Sequence, residues 1–206
     1  STQVLTLFPY TTLFRSIRLA GELEIRDDRA RAAFAEDLRQ LTEFLDRTLL
    51  AYRVGSHQAT FEFVALDLAT CLEPLIQDVF GPLGEREKLV TTRVQAVTWS
   101  VDRTFFSMLL TNLLTNARKY GTEIEVVLEP LDTGFLLRVK NRVTTALQPS
   151  DLPLLSQPFF RPDQSRQPGT SGSGLGLFIA RQIAEAHRFS FDLSLEAEIF
   201  SVTIRA

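Results

Sequence analysis

The chain has 206 residues, of which 45% are hydrophobic and 23% charged, with a formal net charge of −3. That length suits one ordinary domain plus a smaller element, and the composition is that of a globular protein. No stretch reaches the ~18 uninterrupted apolar residues of a membrane helix. The acidic balance argues against the basic surface that nucleic acid requires. The chain itself is therefore expected to contact neither a membrane nor nucleic acid.

Residues 1–16 show no helical period, no alternation and no signal-peptide layout. Residues 6–16 resemble the translation of a sequencing-adapter oligonucleotide, so 1–16 is expected to be non-native and is set aside; a genuine apolar arm is the alternative. From Arg29 to Tyr52 the apolar residues Ala33, Phe34, Leu38, Leu41, Leu45 and Leu49 recur three or four apart, which predicts a helix with a packed stripe. Asp27 and Asp28 favour its start. Ile17–Leu23 reads as the tail of a preceding helix, so residues 17–54 form a partial helical hairpin that suits a dimer seam, with packing onto its own domain as the alternative.

Residues 55–60 read as a linker, and 61–206 as an α+β domain, a two-layer α/β sandwich. A strand is predicted at 61–65 and a helix at 67–80, then strands at 88–92 and 95–100 joined by a tight turn. A long helix at 102–120 precedes strands at 123–129 and 135–141. Residues 144–173 are too polar and too broken by proline for a core element. A helix at 174–187 and strands at 191–195 and 200–205 complete the domain. Cys71, in an apolar run, reads as a packed thiol rather than a reactive one. His57 reads as a loop residue, and His187 as a helix-end residue where a cation is favoured; both are expected to be structural.

Two places carry chemistry. On the 102–120 helix, Asn112, Asn116, Lys119 and Tyr120 lie along one side, bordering the apolar stripe of Phe106, Leu110, Leu113 and Ala117. Asparagine is a poor helix former, so two of them beside a core need a reason. A carboxamide oxygen suits Mg²⁺, a lysine suits phosphate and a ring can cover a base; a solvated helix face is the plain alternative. Ser171-Gly-Ser-Gly-Leu-Gly-Leu-Phe178 opens the next helix, and its glycines let backbone N–H groups approach an anion at a helix N-terminus. It is neither a Walker A loop nor placed directly after a strand, and a flexible loop is its alternative.

Asn112-Leu-Leu-Thr-Asn-Ala-Arg-Lys-Tyr-Gly121 resembles the N box of bacterial sensor histidine kinases, Pro158–Asp163 their F box and Gly172–Leu177 their G2 box, in the family's order and spacing. The resemblance covers residues 61–206, and 17–54 is similar to the later half of the family's dimerisation and phosphotransfer hairpin. It implies the Bergerat-type ATPase fold and ATP with Mg²⁺ as ligands. It assigns Asn116 to the metal, Lys119 to phosphate and Tyr120 to the adenine border, with Asn112 beside them. Arg161 and the backbone of Gly172, Gly174, Leu175 and Gly176 would handle the β- and γ-phosphates, under a lid at 161–173. Two positions depart from the family pattern. Asn141 stands where an aspartate accepts the adenine amino hydrogens, with no glycines after it, and Arg188 follows His187 where glycine is usual.

The resemblance implies a cytoplasmic kinase module whose parent is anchored in a bacterial inner membrane. It would act as a homodimer, donate the γ-phosphoryl of ATP to a histidine and pass it to a response-regulator receiver domain. The family's histidine sits on the first hairpin helix, which Phe8–Ser16 occupies here without a histidine, so autophosphorylation is not expected. A degenerate nucleotide-binding scaffold without turnover is the alternative.

Overall fold

A computed structural model of the chain describes residues 27–56, 59–81, 90–144, 147–162 and 173–206. The expected helix at 17–23 and the set-aside segment 1–16 lie outside them. Two compact units divide the chain, residues 1–49 and 50–206.

Helix α1 spans Asp28–Gly55. Asp27 starts it by accepting the Arg29 N–H on its side chain at 3.1 Å and the Arg31 N–H on its carbonyl at 2.9 Å. Along the predicted stripe Phe34, Leu38, Leu45 and Leu49 are half-buried, whereas Leu41 is exposed. Its last turn belongs to the second unit, where Val54 is buried in the core with Leu50 packed beside it.

The second unit runs β1 (Phe63–Asp67), α2 (Ala69–Phe80), β2 (Val90–Val94), β3 (Thr98–Asp102), α3 (Arg103–Tyr120), β4 (Gly121–Pro130) and β5 (Phe135–Val143). It continues with a 3-10 turn (Pro149–Asp151), the one-turn helix α4 (Leu152–Leu155), α5 (Gly176–Ala186), β6 (Ser190–Glu196) and β7 (Ile199–Arg205). Five strands form one sheet in the order β2-β4-β5-β7-β6, antiparallel except for the β2–β4 pair. Because side chains alternate along a strand, β5 sends Leu137, Val139 and Asn141 to one face and Arg138, Lys140 and Arg142 to the other. The first face meets the helices. Leu137, Val139, Val126, Leu128, Val202 and Ile204 share one core with Leu72, Leu110, Leu113, Ala180 and Ile183. Lys140–Glu125 and Arg142–Glu123 ion pairs, at 3.1 and 3.0 Å, cross the other face. The result is the expected two-layer α/β sandwich.

Two local expectations need correction. The strands near 90 and 98 are not a hairpin: β2 pairs with β4, and β3 pairs with β1 in a separate two-stranded sheet. The intervening loop spans the gap, with the Gln95 N–H bonded to the Leu128 carbonyl at 2.9 Å and the Leu68 N–H to the Val97 carbonyl at 2.8 Å. The polar stretch after Thr144 also contributes to the core. Pro149 sits in the first turn of its 3-10 element, where proline loses no hydrogen bond. The Gln148 N–H reaches the Asp151 carboxylate at 3.0 Å, and Leu147, Leu152 and Leu155 then pack against the core.

Candidate functional site

Helix α3 carries the candidate residues and is held at its start by Asp102. That carboxylate is 7% exposed and accepts from the Phe105 N–H at 3.0 Å and the Glu62 N–H at 2.8 Å. The first bond caps the helix; the second ties it to the approach of β1. The Asp102 N–H is donated to His187 Nε2 at 3.1 Å, and His187 Nδ1 lies 2.8 Å from the Ile183 carbonyl. A backbone N–H needs an acceptor and a carbonyl needs a donor, so the ring is neutral with its proton on Nδ1. Burial pushes the His187 pKa below its ordinary value, against smaller opposing pulls from the Ile183 carbonyl and Asp102. Phe61, Phe63 and Phe189 surround the ring at centroid distances of 5.4, 5.1 and 5.4 Å. The expectation of a helix-end cation is thus overturned. The structural role stands, because apolar packing costs the charged form more than the helix carbonyls return.

Asn112 and Asn116 are half-buried on successive turns of α3, Tyr120 is half-buried and Lys119 is exposed. The Asn112 amide donates to the Met108 carbonyl of its own helix at 2.9 Å, which turns its oxygen outward. That oxygen lies against Gly176, where an added Cβ would stand 3.3 Å from it. The helix of the first motif therefore abuts the start of α5, the helix opened by the glycine motif. Gly174 sits at φ +68°, and a Cβ there would meet the backbone of Phe159 and Phe160 at 2.8 Å. The Phe159 N–H is donated to the Gly174 carbonyl at 3.1 Å, and Phe159 itself adopts φ +65°. A bulky residue in the left-handed region is uncommon, and nothing in the local sequence announces this one.

Leu175 is buried and accepts the Ile179 N–H at 2.8 Å, anchoring the first turn of α5. Arg161 follows Phe160 and is half-buried. Lys119 Nζ rests 5.2 Å from the centre of the Tyr120 ring. Gly172 and the rest of the lid to residue 172, except Arg161 and Pro162, lie outside the described residues.

Asn141 approaches from the sheet. It is 3% exposed, and among the described residues its Nδ2 has no hydrogen-bond partner. A Cβ on Gly121 would collide with that amide, so Gly121 is the opening that admits it. Gly121 directly follows Tyr120. All four motif regions thus meet in pairs: Asn112 with Gly176, Phe159 with Gly174, and Asn141 with the residue after Tyr120. Among the described residues no cluster of three histidine, cysteine or carboxylate side chains could hold a metal ion.

Residues 101–205 match the family of histidine kinase-, DNA gyrase B- and HSP90-like ATPases. The chain belongs to this family. The Staphylococcus aureus sensor protein SrrB is 35% identical over 101 residues, which are 48% of this chain and 17% of that protein. Among solved structures, the Acinetobacter baumannii histidine kinase AdeS superposes with a TM-score of 0.66 at 18% identity, covering 95% of this chain and 93% of that one. Full-length ShkA, in complex with AMPPNP, gives 0.75 at 16% identity, covering 98% of this chain and 46% of that one. At such identities the superpositions speak for the fold. No helix among the described residues is long and apolar enough to cross a membrane.

Proposed function

We propose that this chain is the ATP-binding kinase module of a two-component sensor histidine kinase, with its Mg-ATP site between α3 and the start of α5. The observation that carries this reading is the meeting of Asn112 with Gly176, which brings a carboxamide-bearing helix face to a glycine-opened helix N-terminus. A Cβ at Gly174 would strike the Phe159–Phe160 backbone and one at Gly176 would press on the Asn112 oxygen, so glycine at both positions lets the motifs close on the helix start, where backbone N–H groups suit a phosphate. The Asn141 amide supplies a buried nitrogen that no described residue bonds.

In this reading Asn116 contributes a carboxamide oxygen to Mg²⁺, a cation that takes few protein ligands and completes its shell with phosphate and water. The metal, when bound, neutralises triphosphate charge. Asn112 fixes the distance between the two helices. Lys119 and Arg161 place positive charge on the phosphates, and the backbone of Gly172, Gly174, Leu175 and Gly176 orients them. Tyr120 borders the base and Asn141 reads its edge. Phosphoryl transfer needs positioning and charge stabilisation rather than a protein nucleophile in this domain.

The phosphoryl would go to a histidine on a helical hairpin and then to a receiver domain, within a homodimer seamed along α1. The module would work in the cytoplasm, below a parent anchored in the inner membrane. His187 does not serve as acceptor, since both its ring nitrogens are engaged. His57 lies outside the described residues.

Calorimetry with Mg-ATP tests the site. Asn116→Ala should bind at least about tenfold more weakly, a loss of ~1.4 kcal/mol. Equal affinity in the two proteins would sink the metal assignment. Incubation with γ-labelled ATP and a separate histidine-bearing hairpin domain tests the transfer. Label on the added domain and none on this chain is the expected result. Tight binding with no transfer would make the chain a nucleotide-binding scaffold, and label on His57 or His187 would overturn the acceptor argument.

A further inference from the structure

Three other buried polar side chains in this unit are spent on the fold. Asp102 accepts two backbone N–H groups, His187 bridges two backbone groups, and Ser156 accepts from Arg181 at 3.0 Å. Asn141 is buried more deeply than any of these, yet its Nδ2 bonds to nothing among the described residues. A buried amide without a partner costs free energy, and its persistence calls for a reason. Its place supplies one. Asn141 shares the helix-facing side of β5 with Leu137 and Val139, and its amide lies on Gly121, beside the end of α3 that carries Asn116, Lys119 and Tyr120.

A carboxamide presents a donor and an acceptor side by side. The six-membered edge of a purine presents the matching pair in either order. A 6-aminopurine offers a donor at N6 and an acceptor at N1; a 6-oxopurine offers an acceptor at O6 and a donor at N1. Among the described residues no hydrogen bond at Nδ2 holds the Asn141 amide in one sense, so a half-turn of its last torsion exchanges the two patterns. A carboxylate in the same place would only accept, and would face the O6 of an oxopurine with no hydrogen between them.

Resting on the nucleotide site proposed above, we infer that Asn141 makes this chain tolerant at the purine 6-position, so that 6-oxopurine triphosphates are ligands alongside ATP. The choice between amino and oxo purines, which a site with a fixed acceptor makes by leaving a buried polar group unpaired against the wrong base, is given up here.

Competition binding on the full chain decides it, with Mg-ATP, Mg-ITP and the triphosphate of unsubstituted purine riboside. The dissociation constants for ATP and ITP should agree within about threefold, and the unsubstituted purine should bind more weakly than both, by about tenfold, for want of a 6-substituent to pair. In Asn141→Asp the ratio of the ITP to the ATP dissociation constant should rise at least about tenfold. If the unaltered chain binds Mg-ATP and rejects ITP by tenfold or more, base tolerance is wrong and the nucleotide site stands. An unchanged ITP-to-ATP ratio in a folded Asn141→Asp protein also overturns it, since another group then reads the base. Binding of none of the three removes the nucleotide site itself and this inference with it. Should the variant fail to fold, the three-ligand series on the unaltered chain still separates tolerance from selectivity.

Discussion

Two buried polar side chains near the ends of α3 teach opposite lessons. His187, at 7% exposure, bridges α5 and the start of α3 through both ring nitrogens and is packed among Phe61, Phe63 and Phe189. Asn141, at 3% exposure, sits at the other end of α3 with an amide that the described protein leaves unbonded. Burial alone therefore does not tell which polar groups the fold has bonded. A group whose bonds are all made holds the fold, while one left open lowers stability.

His187→Ala tests the first half of that contrast and carries the largest expected effect. It opens a cavity among the aromatic rings and strips the buried Asp102 N–H of its acceptor. Stability should fall by about 3 kcal/mol, read from denaturant unfolding. A loss under about 1 kcal/mol would mean that the bridge is incidental. The unaltered protein should also show a pH signature. The folded pKa of His187 is depressed, so the unfolded chain takes up the proton first. Its contribution is fully present above the ordinary value of 6.5 and is lost as pH falls through the lower folded value. Unfolding free energy measured from about pH 7.5 downward should thus decline below about 6.5, and His187→Phe should flatten that decline. A variant with the same slope would locate the titration elsewhere.

Asn141→Leu tests the second half. Leucine matches asparagine closely in shape and removes an unsatisfied donor, so stability should rise by about 1–2 kcal/mol while Mg-ATP affinity drops. Those opposed signs are the diagnostic. A destabilised protein would show that the amide has a partner in the fold after all, and unchanged ATP affinity would place it outside the site.

The smallest effect concerns the residue after His187. Helix α5 ends with the Phe189 N–H bonded to the Ala184 carbonyl and the Arg188 N–H to the Glu185 carbonyl, both at 2.9 Å, a Schellman closure. It places Arg188 at φ +62°, where an L side chain is strained. Arg188→Gly should raise stability by about 1 kcal/mol in thermal or chemical melts with Mg-ATP binding unchanged. A fall in stability would show that the arginine side chain more than offsets the strain.

Much of this arrangement is legible in the chain. Helices α3 and α5 stand where apolar periodicity puts them, because three- and four-residue spacing onto a core is a local property. The motif residues Asn112 and Gly176 meet as their types suggest, a polar helix face against a helix start without side chains. The absence of glycine at position 188 is visible as a departure in sequence, but its backbone strain is not. Strands β2 and β3 look like a hairpin in sequence since a short turn favours that pairing, yet each pairs with a strand elsewhere: β4 for one, β1 for the other. The turn at Pro149–Asp151 is hidden in sequence because polar composition masks three leucines that reach the core.

What the sequence determined by itself was the main helices and strands and the chemical kinds of residue at the candidate site. Both follow from the spacing of apolar side chains and from which groups donate, accept or carry charge. Only the tertiary structure decided which of those groups remain available. His187 is a helix-end cation by local rules and becomes a neutral bridge once three phenylalanines desolvate it. Asn141 is marked in sequence by its motif position, but only the Gly121 backbone admits its amide to a place where no described residue bonds its nitrogen. Hydrogen-bond satisfaction depends on partners distant in the chain, and burial sets the cost of lacking one.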